Sequence, residues 1–206
     1  SNVDRNPMVS AAEVVLVNNF VQNFGSGRVI YSRNGGHPSS QYVMASEITA
    51  VGNVVQAGPD SRERNVYIRS HDSARDEPAG ERATRAYQKD NTLLNRDGSK
   101  MEQLAGSYAL AEQPLDWPKG LQALPAAEVA EYVLTHAGAT PWNRDAVDKR
   151  IIKQARTNTG RIIDSQDEVG GYPRAKAVRR KLDVPRDQAR LAGWLAAFEK
   201  PLPPAN

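Results

Sequence analysis

Short runs of apolar and β-branched residues, each closed by Gly, Asn, Pro or Ser, fill the first half of the chain. Glu13–Phe20 (EVVLVNNF), Arg28–Tyr31 (RVIY), Gln41–Ala45 (QYVMA), Ile48–Gln56 (ITAVGNVVQ) and Asn65–Arg69 (NVYIR) have the length and composition of β-strands. Between them lie Gly25-Ser26-Gly27, Asn34-Gly35-Gly36-His37-Pro38 and Gly58-Pro59-Asp60. These are turn sequences, because glycine permits positive φ and proline fixes φ. Asp72–Arg85 (DSARDEPAGERATR) is charged and poor in strand formers, and it reads as an exposed loop.

The period then changes. Ala126–His136 (AAEVAEYVLTH) places Val129, Val133 and Leu134 at helical spacing, with Pro125 near its start and Gly138 beyond its end. Asp145–Arg156 puts Val147, Ile151, Ile152 and Ala155 on one face of a second helix. Pro185–Lys200 aligns Leu191, Trp194, Leu195 and Phe198 along a third. Such a stripe packs on a parent fold or docks a partner chain.

A weak repeat underlies the strands: VLVNNFVQN around Asn19, ITAVGNVVQA around Asn53 and AYQKDNTLLN around Asn91. Each strand reaches an Asn and more strand formers follow at once. Stacked coils that align Asn side chains at their bends account for the pattern, and so does a sandwich that uses Asn only as a turn residue.

Composition narrows the classes. Hydrophobic residues make up 39% of the 206 and charged residues 25%, and the mean hydropathy is −0.61, which suits a soluble chain with a real core and much polar surface. No run approaches the ~20 apolar residues of a membrane span, so no membrane partner is expected. The 27 basic and 24 acidic residues are interleaved and leave a formal charge of only +3, so no nucleic-acid partner is expected either. Cysteine is absent, which removes disulfides, thiol nucleophiles and zinc-thiolate sites. The first residues, SNVDRNPM, show no basic region followed by an apolar run and hence no signal peptide. They enter turn chemistry just before a strong strand, as if a preceding coil had been cut away.

Three ordered segments resemble the pectate lyase family, polysaccharide lyase family 1: DRNPMVSAAEVVLVNNFV (4–21), with its Arg-x-Pro leading into a strand that ends in Asn-Asn; ITAVGNVVQAGPDS (48–61), a strand that reaches Gly-Asn and leaves through Gly-Pro; and AGATPWNRDAVDKRIIKQARTNTGRIIDSQDEVGGYP (137–173), similar to the tail of bacterial members. The resemblance implies an all-β fold, a right-handed parallel β-helix, here its later coils, with a C-terminal tail containing short α-helices. Residues 1–115 would be coils and loops of the lyase-type domain, with the N-terminal coils missing. Residues 116–206 would be a helical and irregular tail packed on them.

The implied activity is cleavage of pectate, polygalacturonate or a related uronan by β-elimination. A base removes the C5 proton of the uronate, the C4 oxygen departs, and calcium neutralises the carboxylate so that C5 becomes acidic enough. The family's base, the Arg of Arg-x-Pro, falls on Arg5. Read alone, Arg5 is a surface cation near a chain end. A guanidinium normally stays protonated, so the catalytic role implies a strongly cationic, calcium-rich setting or proton transfer concerted with elimination. A second arginine usually follows five residues later, where this chain has Ser10. The calcium (Ca2+) aspartates of the family lie before residue 1, so no metal ligand is assigned here and substrate-binding residues stay open. The partners implied are an acidic polysaccharide and the missing N-terminal coils as a separate chain; the location implied is secreted or periplasmic. The alternative is a non-catalytic β-helix that binds or scaffolds polysaccharide.

The remaining chemistry reads blandly. Asp164, Asp167 and Glu168 lie close together but lack the pattern of a calcium loop. His37, His71 and His136 show no ligand spacing. Trp117, Trp142 and Trp194 suit packing or sugar stacking. The basic run Arg174–Lys181 (RAKAVRRK) reads as a solvated helix face.

Overall fold

The computed structural model of the protein describes residues 3–10, 13–34, 46–72, 84–172 and 183–197. The chain divides into two compact units, Ser1–Asp164 and Ser165–Asn206.

In the first unit the strands recur in a fixed order. They are β1 (Met8–Val9), β2 (Glu13–Val17), β3 (Phe20–Gln22), β4 (Arg28–Asn34), β5 (Glu47–Val51), β6 (Val54–Gln56), β7 (Val66–Asp72), β8 (Thr84–Lys89), β9 (Thr92–Leu94), β10 (Glu102–Ala105) and β11 (Tyr108–Leu110). Each pairs in parallel with the strand three places along. The result is three sheets, β1-β4-β7-β10, β2-β5-β8-β11 and β3-β6-β9.

The sequence dictates the bend that separates the second and third sheets. Asn18, Gly52 and Asp90 follow β2, β5 and β8 with φ of 53°, 65° and 51°. Gly, Asn and Asp are the residue types that visit this left-handed region most readily. The next residue in each case is the repeat asparagine, and the three stack. Asn53 Oδ1 accepts the backbone N–H (3.0 Å) and Nδ2 (2.9 Å) of Asn19, and Asn91 Oδ1 accepts the same two groups of Asn53, at 2.9 and 3.0 Å. The amide groups of a sharp turn therefore find partners in the neighbouring turn, and at Asn53 they do so in the interior. Asn65 and Asn95 form a shorter ladder of the same kind, both bonds at 3.2 Å.

The core lies between the sheets and is built from Phe24, Val29, Ile30, Ile48, Val55, Tyr67, Ile68 and Ala86, all at most 2% exposed. Each such Val, Ile or Phe contributes about 1.5–3 kcal/mol. Among the polar groups inside, the Thr84 hydroxyl bonds both Ser32 (3.0 Å) and Ser70 (2.8 Å).

The expectation of an all-β fold, a right-handed parallel β-helix with helices confined to a tail, is overturned. The parallel sheets stand with three α-helices, at 24% helix and 29% strand, a mixed α/β-like composition in which a β-helix is not shown. The physical reason lies in α1 (Ala126–His136). Its Val129 and Ala126 bury against Val54 and Phe20, so a helix forms part of the apolar packing of the sheet unit. Asp90 also caps it from a distance, Oδ2 accepting the Ala126 N–H at 2.9 Å. Helix α2 (Ala146–Arg156) carries its own cap, Asp145, which accepts from Asp148 N, and the Arg156 guanidinium pairs with Glu131 of α1. Residues 157–162 are tied back to the sheets by Gln22 Nε2 to Asn158 Oδ1 (2.7 Å) and Ile162 N to Asp60 Oδ2 (2.6 Å).

The sequence predicts one strand over 13–20 and one over 48–56; each is divided at its left-handed residue. Helices fall at 126–136 and 146–156 as their periodicity indicates, and the third is α3 (Gln188–Ala196). Arg85, placed by the sequence in a loop, lies in β8 and pairs with Glu47 at 2.6 Å. The strand expected at 41–45, most of the charged loop and the basic run 174–181 lie outside the described residues.

Within the second unit, Gln166–Val169 forms a short 3-10 turn closed by a capping box: Ser165 Oγ accepts Asp167 N (3.1 Å) and Glu168 Oε1 accepts Ser165 N (3.0 Å). Glu168 thus serves a conformational role. Asp187 caps α3.

Candidate functional site

Arg5 lies on the segment that leads into β1. That segment runs along β4, with Asn6 N donating to Val29 O and Tyr31 N donating to Pro7 O, both at 3.0 Å. The Asn6–Pro7 peptide is cis, and Arg5 has φ 64°. A left-handed arginine is uncommon and is held only where its surroundings specify it. Here Asp4 specifies it: Oδ1 accepts the Arg5 backbone N–H at 2.8 Å and Oδ2 accepts Arg28 Nη2 at 3.0 Å. The Arg28 guanidinium in turn lies 4.4 Å from the centroid of the Tyr31 ring, a cation–π contact. The Arg5 side chain is left exposed.

The face beside it follows from register. Ile30, Ile68 and Leu104 are in register and buried. Their neighbours Tyr31, Arg69 and Ala105, in register with one another and with Met8, therefore occupy the opposite face. Arg69 is exposed there, while Tyr31, Met8 and Ala105 are half-buried. Arg69 and Tyr31 thus share the outward side of the β1-β4-β7-β10 sheet, Arg28 joins them through its contact with the Tyr31 ring, and the exposed Arg5 lies on the segment before β1. The chemistry open to this face is pairing of a guanidinium with an anionic group and contact of an aromatic ring with an apolar C–H face.

Among the described residues no three His, Asp or Glu side chains group as a metal site. Both oxygens of Asp4, the carboxylate adjoining Arg5 in the chain, are engaged by Arg5 and Arg28. These residues do not form a calcium cage.

No protein-family model, curated protein or solved structure matches this chain. The likeness to pectate lyases therefore stands on the three quoted segments.

Of the other candidates, Ser10 is exposed. His136 closes α1, its Nδ1 2.8 Å from Tyr132 O and its ring stacked on Tyr132. Trp142 is 53% exposed on a 3-10 turn. His37 and the side chain of His71 lie outside the described residues. Sequence reasoning missed Asp4, Asp60 and Asp90. Each spends its carboxylate on a distant backbone or side-chain donor, and only the adjacency of Asp4 to Arg5 is visible in the sequence.

Proposed function

We propose that this chain engages an acidic polysaccharide along the outward face of the β1-β4-β7-β10 sheet and cleaves a uronan such as polygalacturonate by β-elimination, with Arg5 as the base at C5. The carrying observation is an exposed Arg5, held left-handed by Asp4, at the margin of a face that presents Arg28, Tyr31 and Arg69. A guanidinium beside a uronate carboxylate makes charge-assisted, bidentate hydrogen bonds, and an aromatic ring accepts the C–H face of the sugar. Such a polymer is met outside the cell, so an exported location belongs to the proposal.

The test incubates the chain with polygalacturonate at alkaline pH, with and without calcium, and follows ultraviolet absorbance of the unsaturated product. Product that disappears in Arg5→Ala supports the reading. No product and no binding of the polymer overturns it. A second reading, binding without cleavage, is favoured by Ser10 at the place of the family's second arginine and by an Asp4 already occupied. Binding that needs Arg69, with no product, selects it.

A further inference from the structure

On a different sheet the chain carries a second cleft. Thr49 and Val51 of β5 pair with Tyr87 and Lys89 of β8, and these four share the face opposite the core residues Ile48, Ala50 and Ala86. The loop that follows β11 crosses this face. It is pinned at several points: Leu115 N donates to Thr49 Oγ1 (3.0 Å), Leu124 N to Asn18 Oδ1 (2.8 Å), and Asn18 Nδ2 to Leu124 O (2.9 Å). Between sheet and loop lies a cleft of about 370 Å³, lined by Tyr87, Trp117, Pro114, Pro125, Leu124 and Lys89 among others. That volume falls within the ~300–1,000 Å³ of small-ligand sites.

The hydrogen bonds already made decide what the cleft can offer. Trp117 donates its indole N–H to Leu121 O at 3.1 Å, so its remaining surface is the ring face. Asp90, the one acid on the wall among the described residues, places Oδ2 on the N-terminus of α1. The Lys89 ammonium has no acidic partner among the described residues. Flat aromatic and proline surfaces, with one cation that has no acidic partner among the described residues, are complementary to a ring with an apolar C–H face that bears a carboxylate.

We infer that this cleft is a uronate-binding subsite, in which Trp117 and Tyr87 stack against a pyranose ring and Lys89 pairs with its carboxylate. The inference rests on the acidic-polysaccharide reading and adds a contact that is independent of Arg5. It gives the polymer a second hold on the β2-β5-β8-β11 sheet.

Isothermal titration of the full chain with trigalacturonate and with the neutral galactose trimer tests it, using an Arg5→Ala, Arg69→Ala background to silence the first face. Lys89→Ala is expected to weaken trigalacturonate binding about tenfold and to leave the neutral trimer unchanged. Tyr87→Ala and Trp117→Ala are expected to weaken both at least tenfold. Because Trp117 also holds the loop through Leu121, Tyr87→Ala and Lys89→Ala stand as the variants that leave that bond in place. Polygalacturonate bound by the wild type, with all three variants at the background's affinity, overturns the subsite and leaves the polysaccharide reading standing. No binding of polymer or trimer by the wild type overturns both. A decaproline peptide that binds the cleft while trigalacturonate does not also overturns the subsite.

Discussion

Replacing Asn53 with alanine probes the ladder at its centre. Asn53 is 1% exposed. Its Oδ1 accepts two bonds from Asn19, and its Nδ2 reaches Leu16 O (2.9 Å), Val51 O (3.3 Å) and Asn91 Oδ1 (3.0 Å). Truncation removes all of these, but the losses are unequal. Asn19 is exposed and rehydrates, Val51 O keeps the Asn18 N–H at 3.1 Å, and Asn91 Oδ1 keeps the Asn53 backbone N–H at 2.9 Å. The part-buried Leu16 O loses its Asn donor, a cost of about 1–3 kcal/mol, and the remaining bonds are worth about 0.5–1.5 kcal/mol each. The expected destabilisation is about 3 kcal/mol. Against a urea slope of about 2 kcal/mol per molar, that moves the midpoint down by about 1.5 M. Asn19→Ala, at the exposed end of the same ladder, is expected to cost under about 1 kcal/mol. Equal midpoints for the two variants in urea melts followed by circular dichroism would refute the ladder as a source of stability.

Other outcomes follow from single positions. Gly52→Ala places a Cβ 2.5 Å from Asn18 Nδ2 and 2.8 Å from Leu124 O at φ 65°, and is expected to cost about 2–4 kcal/mol. Gly98→Ala, also left-handed but in open space, should cost only about 1–2 kcal/mol in the same melts. Burial pushes the Tyr67 phenol well above its ordinary range. The neutral phenol's contribution is therefore full below about pH 10, the unfolded value, and is lost as pH rises toward the folded one, at about 1.4 kcal/mol per pH unit. Tyr67→Phe should flatten that alkaline slope. The Arg156 side chain, then Thr135, holds the Glu131 carboxyl below its usual value. Arg156→Ala should move the Glu131 titration upward by NMR, and the pairing should be lost as pH falls through the wild-type value.

What was legible in the sequence was local. The repeat asparagines Asn19, Asn53 and Asn91 were visible because the bend needs a left-handed residue followed by an amide, and Asn-Asn, Gly-Asn and Asp-Asn each supply that pair. The helices at 126–136 and 146–156 were legible from period and punctuation. Their place in the fold was not, because the burial of Val129 against Val54 and Phe20 depends on contacts across more than 70 residues. A separation of 36 residues hid Asp90 as a cap for α1, and the meeting of Tyr87, Lys89 and Trp117 in one cleft is likewise non-local. Arg5 was named from its motif, whereas its left-handed backbone and the clamp of Asp4 on Arg28 emerge only once β4 lies beside it.

The most direct test of the account is the rate of unsaturated-product formation from polygalacturonate by the wild type and by Arg5→Ala, with polymer binding measured in parallel. The wild type is expected to form product and the variant to form it at a rate lowered at least ~100-fold, as loss of a general base gives, with binding retained. Equal rates in the two proteins, or a wild type that neither cleaves nor binds the polymer, would contradict it.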